Sequence, residues 1–300
     1  MFVVKWIQLF LTEGSKMSFE QIWNTGIRAA MILLAIYVVV TNGEGLFPRV
    51  KRRFTHRSYA DKGLWFGDKK AEPNSYSSVM HAADLSYGSR VDVRLTKDGK
   101  AILFGEDSVI DQDGSDHRIR DLEFKELSEI QDDNGKTVTK LEDVLTAMEQ
   151  REKRAPLLLN LHPDSHDPKE VSAFCDTVTN VFYPYRFFCA VESHNLDVIH
   201  YYAKNYSNIV RGMLMLPREE SDLSDKEFQS VNRMMSNMKT RPQFFDTTKE
   251  LYSRYYWAPV TMGSFVILRG VTDEASRLDA KEIYGVESVI FSDGKPKAEF

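Results

Sequence analysis

The sequence predicts an α/β fold, a (β/α)8 TIM barrel preceded by an N-terminal transmembrane helix. Two patterns favour the barrel: short β-rich runs recur along most of the chain, and segments with apolar residues at helical spacing separate them. The length agrees, because 300 residues with 42% hydrophobic content suit one barrel of about 240 residues and a short extension. The transmembrane helix is predicted from one uncharged apolar run near the N terminus.

Composition and cysteine content argue against two function classes. The net charge is −5, so the overall electrostatics do not attract nucleic acid, and no nucleic-acid partner is predicted. Cys175 and Cys189 are the only cysteines, and no CxxC pair or zinc-like Cys/His spacing is present. The sequence therefore predicts neither a disulfide scaffold nor a zinc module.

The N-terminal region is predicted to tether the protein to a membrane. Residues 1–28 are interpreted as an amphipathic or juxtamembrane segment, and residues 29–48 as the transmembrane anchor. Residues 29–41 carry no charge, and the whole window reaches the ~20 residues that a helix needs to cross a bilayer. More basic residues follow the window than precede it, which favours a single-pass protein with a cytoplasmic barrel. A buried core helix and a cleaved signal peptide are the alternatives.

Residues 49–300 form the predicted barrel domain. Its strands are predicted at 50–54, 89–95, 156–161, 186–192, 209–214, 243–245, 264–268 and 288–291. The turn at 97–100 joins two extended segments, so residues 101–104 are predicted to form a hairpin arm and not a barrel strand. Ligands of such barrels bind at the C-terminal ends of the strands. The polar residues expected there are His56, Arg57, Arg90, Asp92, Asn160, His162, Glu192, Arg211 and Arg269.

A series of motifs in this domain resembles glycerophosphodiester phosphodiesterases. The first is HRSYADKG at 56–63, followed by EPNSYSSVMHAADLSYGSRVDVRLTKDGKAILFGED at 72–107. Further motifs follow in the same order, including APLLLNLH at 155–162, AVESHNLDVI at 190–199 and FVILRGV at 265–271. The resemblance covers most of the chain and implies the same barrel fold.

The resemblance also implies a reaction. In this family, two histidines act as general acid and base on a phosphodiester. The first belongs to a His-Arg-Gly motif and is matched to His56, which Arg57 follows. The second is matched to Gly105, so one proton-transfer group is missing. His56 is therefore predicted as the retained catalytic residue, and Glu106 or His162 as a candidate substitute for the other.

The metal site implied by the resemblance is altered further. The family holds a divalent cation with three carboxylates, two of them in a Glu-x-Asp pair that ends the second strand. Here that pair is Arg90-Val91-Asp92, and the third position is Asn160, so Asp92 is the only retained ligand of three. A hard cation needs several oxygen ligands and net negative charge. The sequence therefore predicts no metal and no other cofactor.

Two roles are open for Arg90. It could fill the space of the missing cation and pair with Asp92, or it could form a metal-free anion site with His56, Arg57 and His162, because a guanidinium suits a phosphate. The predicted ligand-binding residues are Arg57, Arg90, Asp92, Asn160 and Glu192.

Three functions remain open from the sequence. The first is a membrane-tethered phosphodiesterase-like module with weak or no activity, which binds an anionic phosphodiester or phospholipid head group or a protein partner. The second is an active phosphoric diester hydrolase of lipid or glycerophosphodiester metabolism with a metal-independent or remodelled site. The third is a scaffold subunit of a membrane complex.

Overall fold

The computed structural model describes residues 19–41, 52–67, 71–111, 113–130, 138–252, 256, 260, 263–286 and 288–298. Its strands are β1 (Ser58–Asp61), β2 (Gly88–Leu95), β3 (Ala101–Leu103), β4 (Ser108–Ile110), β5 (Asp116–Arg118), β6 (Thr139–Lys140), β7 (Leu157–Leu161), β8 (Cys189–Ser193), β9 (Arg211–Leu214), β10 (Phe244–Thr248), β11 (Phe265–Val271) and β12 (Val289–Phe291). Its α-helices are α1 (Phe19–Thr41), α2 (Tyr76–Asp84), α3 (Phe124–Glu129), α4 (Leu141–Glu149), α5 (Pro168–Phe182), α6 (Leu196–Asn205), α7 (Asp225–Asn232), α8 (Asn237–Thr240) and α9 (Glu274–Tyr284).

Strands β1, β2 and β7 to β12 form a closed parallel barrel. Each pairs with the next around the ring, and β1 pairs with both β2 and β12, which closes the sheet. The predicted barrel is therefore confirmed. The predicted hairpin arm is confirmed as well, because β3 runs antiparallel to β2 from Ala101, opposite Leu95, to Leu103, opposite Val93.

The helices that follow the strands bury one apolar face against the sheet. In α4, the helical spacing of Leu141, Val144, Leu145 and Met148 places all four side chains in the core, fully buried. Burying a side chain of this size contributes roughly 1.5–3 kcal/mol. Ser75 caps the N terminus of helix α2, and its hydroxyl accepts a hydrogen bond from the backbone N–H of Ser78 as part of a capping box.

An apolar layer fills the N-terminal end of the barrel. Tyr59, Leu158 and Phe244 belong to a buried cluster that is closed from below by Phe54. The Tyr59 hydroxyl donates a hydrogen bond of 2.7 Å to the carbonyl of Phe54. This arrangement corrects the predicted first strand at 50–54: of those residues, 52–54 form a turn. The first strand begins at Ser58, and Phe54 packs against the apolar layer, where it acts as a plug at the N-terminal end of the barrel.

The predicted transmembrane helix is wrong. Among the described residues, no helix has the length and apolar character needed to cross a membrane, so the single-pass localisation is wrong too. Helix α1 has polar residues, Asn24, Thr25 and Arg28, in its first half, and the uncharged run is shorter than the ~20 residues required. Residues 1–18 and 42–48 of the two predicted N-terminal segments lie outside the described residues. The proposed segment boundaries therefore stay predictions.

Candidate functional site

The candidate site lies inside the barrel, directly above the apolar layer. Alternate residues of a barrel strand face the interior. On β7 this alternation places Asn160 above Leu158, and on β10 it places Asp246 above Phe244. In the same way, Glu192 on β8 and Arg269 on β11 each come two residues after a buried apolar residue of this layer. The interior thus changes from apolar to charged towards the C-terminal ends of the strands.

Arg90 is the centre of this charged layer. Its Nε lies 2.6 Å from Glu192 Oε1 and 3.5 Å from Asp246 Oδ2, and its Nη1 lies 2.9 Å from Asp61 Oδ1 and 3.5 Å from Asp92 Oδ1. The side chain is only 6% exposed. Burial alone would lower the pKa of Arg90, but the four carboxylates raise it well above its usual value. The predicted pairing of Arg90 with Asp92 is therefore one of four such contacts.

A second guanidinium reinforces the layer from β11. Both Nε and Nη2 of Arg269 donate to Asp246 Oδ1 at 3.0 Å. Burial, and then the charge of Asp246, raise the pKa of Glu192 to about 8, against the opposing effect of Arg90 and Arg269. Glu192 Oε2 and Asp246 Oδ2 are buried and have no hydrogen-bond partner within the described part of the chain. Burial beside Asp246 thus shifts Glu192 towards its neutral form, and the ion pair with Arg90 opposes that shift.

Asp92 is held by three polar side chains, one from the loop before α2, one from β7 and one from the loop after β7. Its carboxylate accepts hydrogen bonds from Asn160 Nδ2 at 2.7 Å and from Asn74 Nδ2 at 3.0 Å, and it lies 3.0 Å from His162 Nε2. The backbone N–H of Asp92 donates to Asn74 Oδ1 at 3.0 Å, so Asn74 holds both groups. Burial would raise the pKa of Asp92, but Arg90 and these partners hold it far below its usual value.

A divalent cation does not fit this arrangement. The guanidinium of Arg90 already lies among the carboxylates that could ligate a metal, and it supplies positive charge there. Across the described ranges, no group of three or more His, Cys, Asp or Glu side chains could hold a metal ion. The metal-dependent chemistry that the sequence resemblance implies therefore has no donor set here.

His56 and Arg57 are not part of the site. They precede β1, and the carbonyl of Arg57 accepts a hydrogen bond from the backbone N–H of Val289, the first residue of β12. They therefore lie at the N-terminal end of the barrel, opposite Arg90. The expected convergence of His56 and Arg57 with Arg90 is wrong, because the first strand begins after the His-Arg pair and not before it.

The C-terminal end of β1 carries Asp61, followed by Lys62 and Gly63. Gly63 has a φ of 77°, and a Cβ there would lie 2.5 Å from Ser78 Oγ, so the turn requires glycine. A Cβ at Gly105 would lie 3.3 Å from Asp92 Oδ2 and 3.5 Å from Lys62 Nζ. Position 105 thus faces the site, as the matched family histidine would, but it contributes no side chain.

The other expected site residues divide into two groups. The structure brings together Arg90, Asp92, Asn160, His162, Glu192 and Arg269. Glu106 is exposed and makes no hydrogen bond or ion pair with any described residue, so its role as a substitute acid stays a prediction without a contact to support it. Arg211 faces away from the barrel interior, with its Nε donating to the carbonyl of Thr240 in α8 at 3.3 Å.

A polar cleft of about 250 Å³ borders the site beside His162. Its charged lining residues are Arg94, Asp107, Arg118, Arg120, Asp164 and Asp222. Arg94 is held in place by Asp164, with Nη1 and Oδ1 at 2.6 Å, and Arg120 Nη1 donates to the carbonyl of Asp164 at 3.2 Å. Sequence reasoning missed this cleft and also Asn74, because β4, β5 and the loop before α2 approach the site only in the folded chain.

The fold is shared with solved phosphodiesterases. One, a glycerophosphodiester phosphodiesterase from Parabacteroides distasonis, is 19% identical, with a TM-score of 0.61 and coverage of 79% of this chain and 93% of that chain. A putative glycerophosphoryl diester phosphodiesterase from Silicibacter pomeroyi is 13% identical, with a TM-score of 0.64 and coverage of 81% and 93%. An Oleispira antarctica phosphodiesterase in complex with the product sn-glycerol-3-phosphate is 16% identical, with a TM-score of 0.61 and coverage of 80% and 94%.

At these sequence identities, the similarity shows a common fold and does not by itself show a common activity or ligand. No family model matches the sequence, and no curated protein matches it.

Proposed function

We propose that this chain is a divergent glycerophosphodiester phosphodiesterase-like protein that has lost metal-dependent hydrolysis and binds a phosphate-bearing ligand at the barrel mouth. The observation that carries the proposal is the position of Arg90. Its guanidinium contacts Asp61, Asp92, Glu192 and Asp246, which are the carboxylates that would otherwise draw a divalent cation into the barrel. The guanidinium of Arg90 then stabilises the fold as a fixed positive charge. Unlike a metal ion, it has no open coordination position that a substrate could occupy.

The loss of the proton-transfer groups supports the same proposal. Asp61, the last residue of β1, is followed by Lys62 and Gly63 as the histidine of a His-Arg-Gly motif would be by its neighbours, so we match Asp61, and not His56, to the first family histidine. The second histidine position is Gly105. Each such group is typically worth about 10²–10⁴ in rate. With both replaced and no metal donor set, we expect hydrolysis of glycerophosphodiesters to be negligible.

The polar cleft offers a place for the ligand. Arg118 is exposed and makes no ion pair with another described residue, and Arg120 lies beside it with its guanidinium in contact with a backbone carbonyl. Guanidinium groups suit phosphate oxygens because they donate two parallel hydrogen bonds. His162 lines the same cleft at the edge of the Asp92 site, and the carboxylates that also line it leave Arg118 as the exposed base without an ion pair among the described residues. A phosphodiester or phosphomonoester group is the anion that we propose for this cleft.

A remodelled hydrolase is the second candidate, and the contact between His162 and Asp92 favours it. An imidazole held by a carboxylate at 3.0 Å and 31% exposed could move a proton to or from a ligand in the cleft. This candidate predicts turnover that needs His162 and no metal.

The test uses the full chain. Hydrolysis of glycerophosphocholine is measured with Ca²⁺, with Mg²⁺ and with EDTA, and binding of sn-glycerol-3-phosphate is measured by thermal shift. We expect no turnover under any condition and a stabilisation that Arg118→Glu removes. Lys125→Glu, the same charge reversal at an exposed site on α3, is the matched control. Metal-dependent turnover would overturn the proposal. Metal-free turnover that is lost in His162→Ala would favour the second candidate. Stabilisation that Arg118→Glu leaves unchanged would show that the ligand does not bind in the polar cleft.

A further inference from the structure

A second cleft opens at the N-terminal end of the barrel, opposite the candidate site. It has a volume of about 340 Å³, which lies within the range of small-molecule sites. Its lining comes from the segments that lead into β1, β2 and β7, namely Arg57, Ala83, Ser86, Lys153, Arg154 and Ala155. It shares no residue with the cleft at the barrel mouth.

The charge of this lining is positive. Arg57, Lys153 and Arg154 are bases, and no described carboxylate is among the residues that line the cleft. The mouth cleft, by contrast, has Asp107, Asp164 and Asp222 beside its bases. The difference is notable in a chain whose net charge is −5. A low-dielectric concavity with one sign of charge attracts ions of the opposite sign.

The contacts at the rim leave part of this charge available. Arg154 Nη2 lies 3.0 Å from Glu149 Oε1, so that guanidinium is partly neutralised. Lys153 is exposed and forms neither a hydrogen bond nor an ion pair with the described residues. A nearby carboxylate, Asp84, pairs with Arg151. The ammonium of Lys153 is therefore the group most accessible to a ligand.

The backbone beside the cleft is held in an uncommon conformation on two sides. Ser86 has a φ of 65°, and His56, which precedes Arg57, has a φ of 59°. Residues other than glycine adopt such angles only at an energetic cost that the surrounding structure offsets. Ser86 also contributes a hydroxyl that can donate to an anion, while Ala83 and Ala155 are small enough to leave space.

We propose that this N-terminal cleft binds a phosphate monoester group, carried either by a free small molecule or by a lipid. The ammonium of Lys153 supplies charge-assisted hydrogen bonds to its oxygens, Arg57 and Arg154 add positive charge to the lining, and the Ser86 hydroxyl donates one more hydrogen bond. The proposal does not depend on the function of the barrel mouth, since the two clefts lie at opposite ends of the barrel.

Calorimetric titration of the full chain with inorganic pyrophosphate tests the site. We expect binding that Lys153→Glu weakens at least tenfold, because the change replaces an attractive charge with a repulsive one. Lys226→Glu, at an exposed position in the first turn of α7, is the matched control and should bind as the unmodified chain does. Arg118→Glu reports on the mouth cleft and should also leave this binding unchanged.

A second arm distinguishes the sources of the phosphate. Co-sedimentation with phosphatidylcholine vesicles is compared with and without phosphatidic acid, a lipid-borne phosphate monoester. Binding that needs phosphatidic acid and is lost in Lys153→Glu assigns the site to lipid, whereas pyrophosphate binding alone assigns it to a free ligand. No binding in either arm, or binding that Lys153→Glu and Lys226→Glu weaken equally, would overturn the proposal.

Discussion

Replacing Arg90 with glutamine should lower the free energy of unfolding by about 3–5 kcal/mol, the usual cost of removing one partner from a buried ion pair. Glutamine keeps some of the volume and polarity of arginine but removes the charge. Four carboxylates within 3.5 Å of the guanidinium would then face one another. Arg269 contacts Asp246 alone among these four in the structure and cannot compensate for the rest.

This loss corresponds to a fall in melting temperature of roughly 6–20 °C for a domain of this size. The assay is thermal unfolding followed by circular dichroism at pH 7, with Arg120→Gln as the control. The Arg120 side chain is 48% exposed and its nearest carboxylate is 3.9 Å away, so its loss should change stability by no more than about 0.5 kcal/mol.

Two outcomes would refute the reasoning. If Arg90→Gln destabilises the protein no more than Arg120→Gln does, the buried guanidinium does not neutralise the carboxylates. If adding Glu192→Gln to Arg90→Gln restores no stability, the repulsion inferred among the carboxylates is absent.

Three further predictions concern single residues. The folded-state pKa of Glu192 is raised to about 8 from 4.5. The stability that this group contributes is therefore fully present below pH 4.5 and is lost as the pH rises through 8. Glu192→Gln should flatten that decline when melting temperatures are measured across this pH range. Phe54→Ala should cost about 3–5 kcal/mol in denaturant unfolding, because it opens a cavity under Tyr59, and a cost below 1 kcal/mol would contradict the role of Phe54 as a plug. Asn74→Ala should cost about 1–3 kcal/mol, because it removes partners from both the backbone and the carboxylate of Asp92, and unchanged stability relative to an exposed Asn208→Ala control would count against it.

The barrel could be predicted from the sequence because alternation of strands and helices is a local pattern. The hairpin arm after β2 was predictable for the same reason, since Asp98 and Gly99 define its turn. The first strand was not, because Val50 and Phe54 are residue types common in strands, whereas Phe54 packs in the layer that closes the barrel. Because the first strand was predicted too early in the sequence, His56 was expected at the C-terminal end of the barrel, whereas it lies at the N-terminal end.

The altered metal site could be predicted only in part. Arg90 and Asp92 lie two residues apart on β2, and their pairing was visible in the sequence. Asp61, Glu192 and Asp246 come from β1, β8 and β10 and meet Arg90 only because the sheet closes. The predicted membrane span failed for a different reason: an apolar run indicates a buried or lipid-facing helix only where its length is sufficient.

Calorimetric titration of Ca²⁺ into the unmodified chain and into Arg90→Glu is the most direct test of the claim that Arg90 takes the place of a metal. We expect no binding to the unmodified chain, and Ca²⁺ binding with a rise in melting temperature in Arg90→Glu, where an added carboxylate joins four others. Ca²⁺ binding to the unmodified chain that Asp92→Asn abolishes would contradict it.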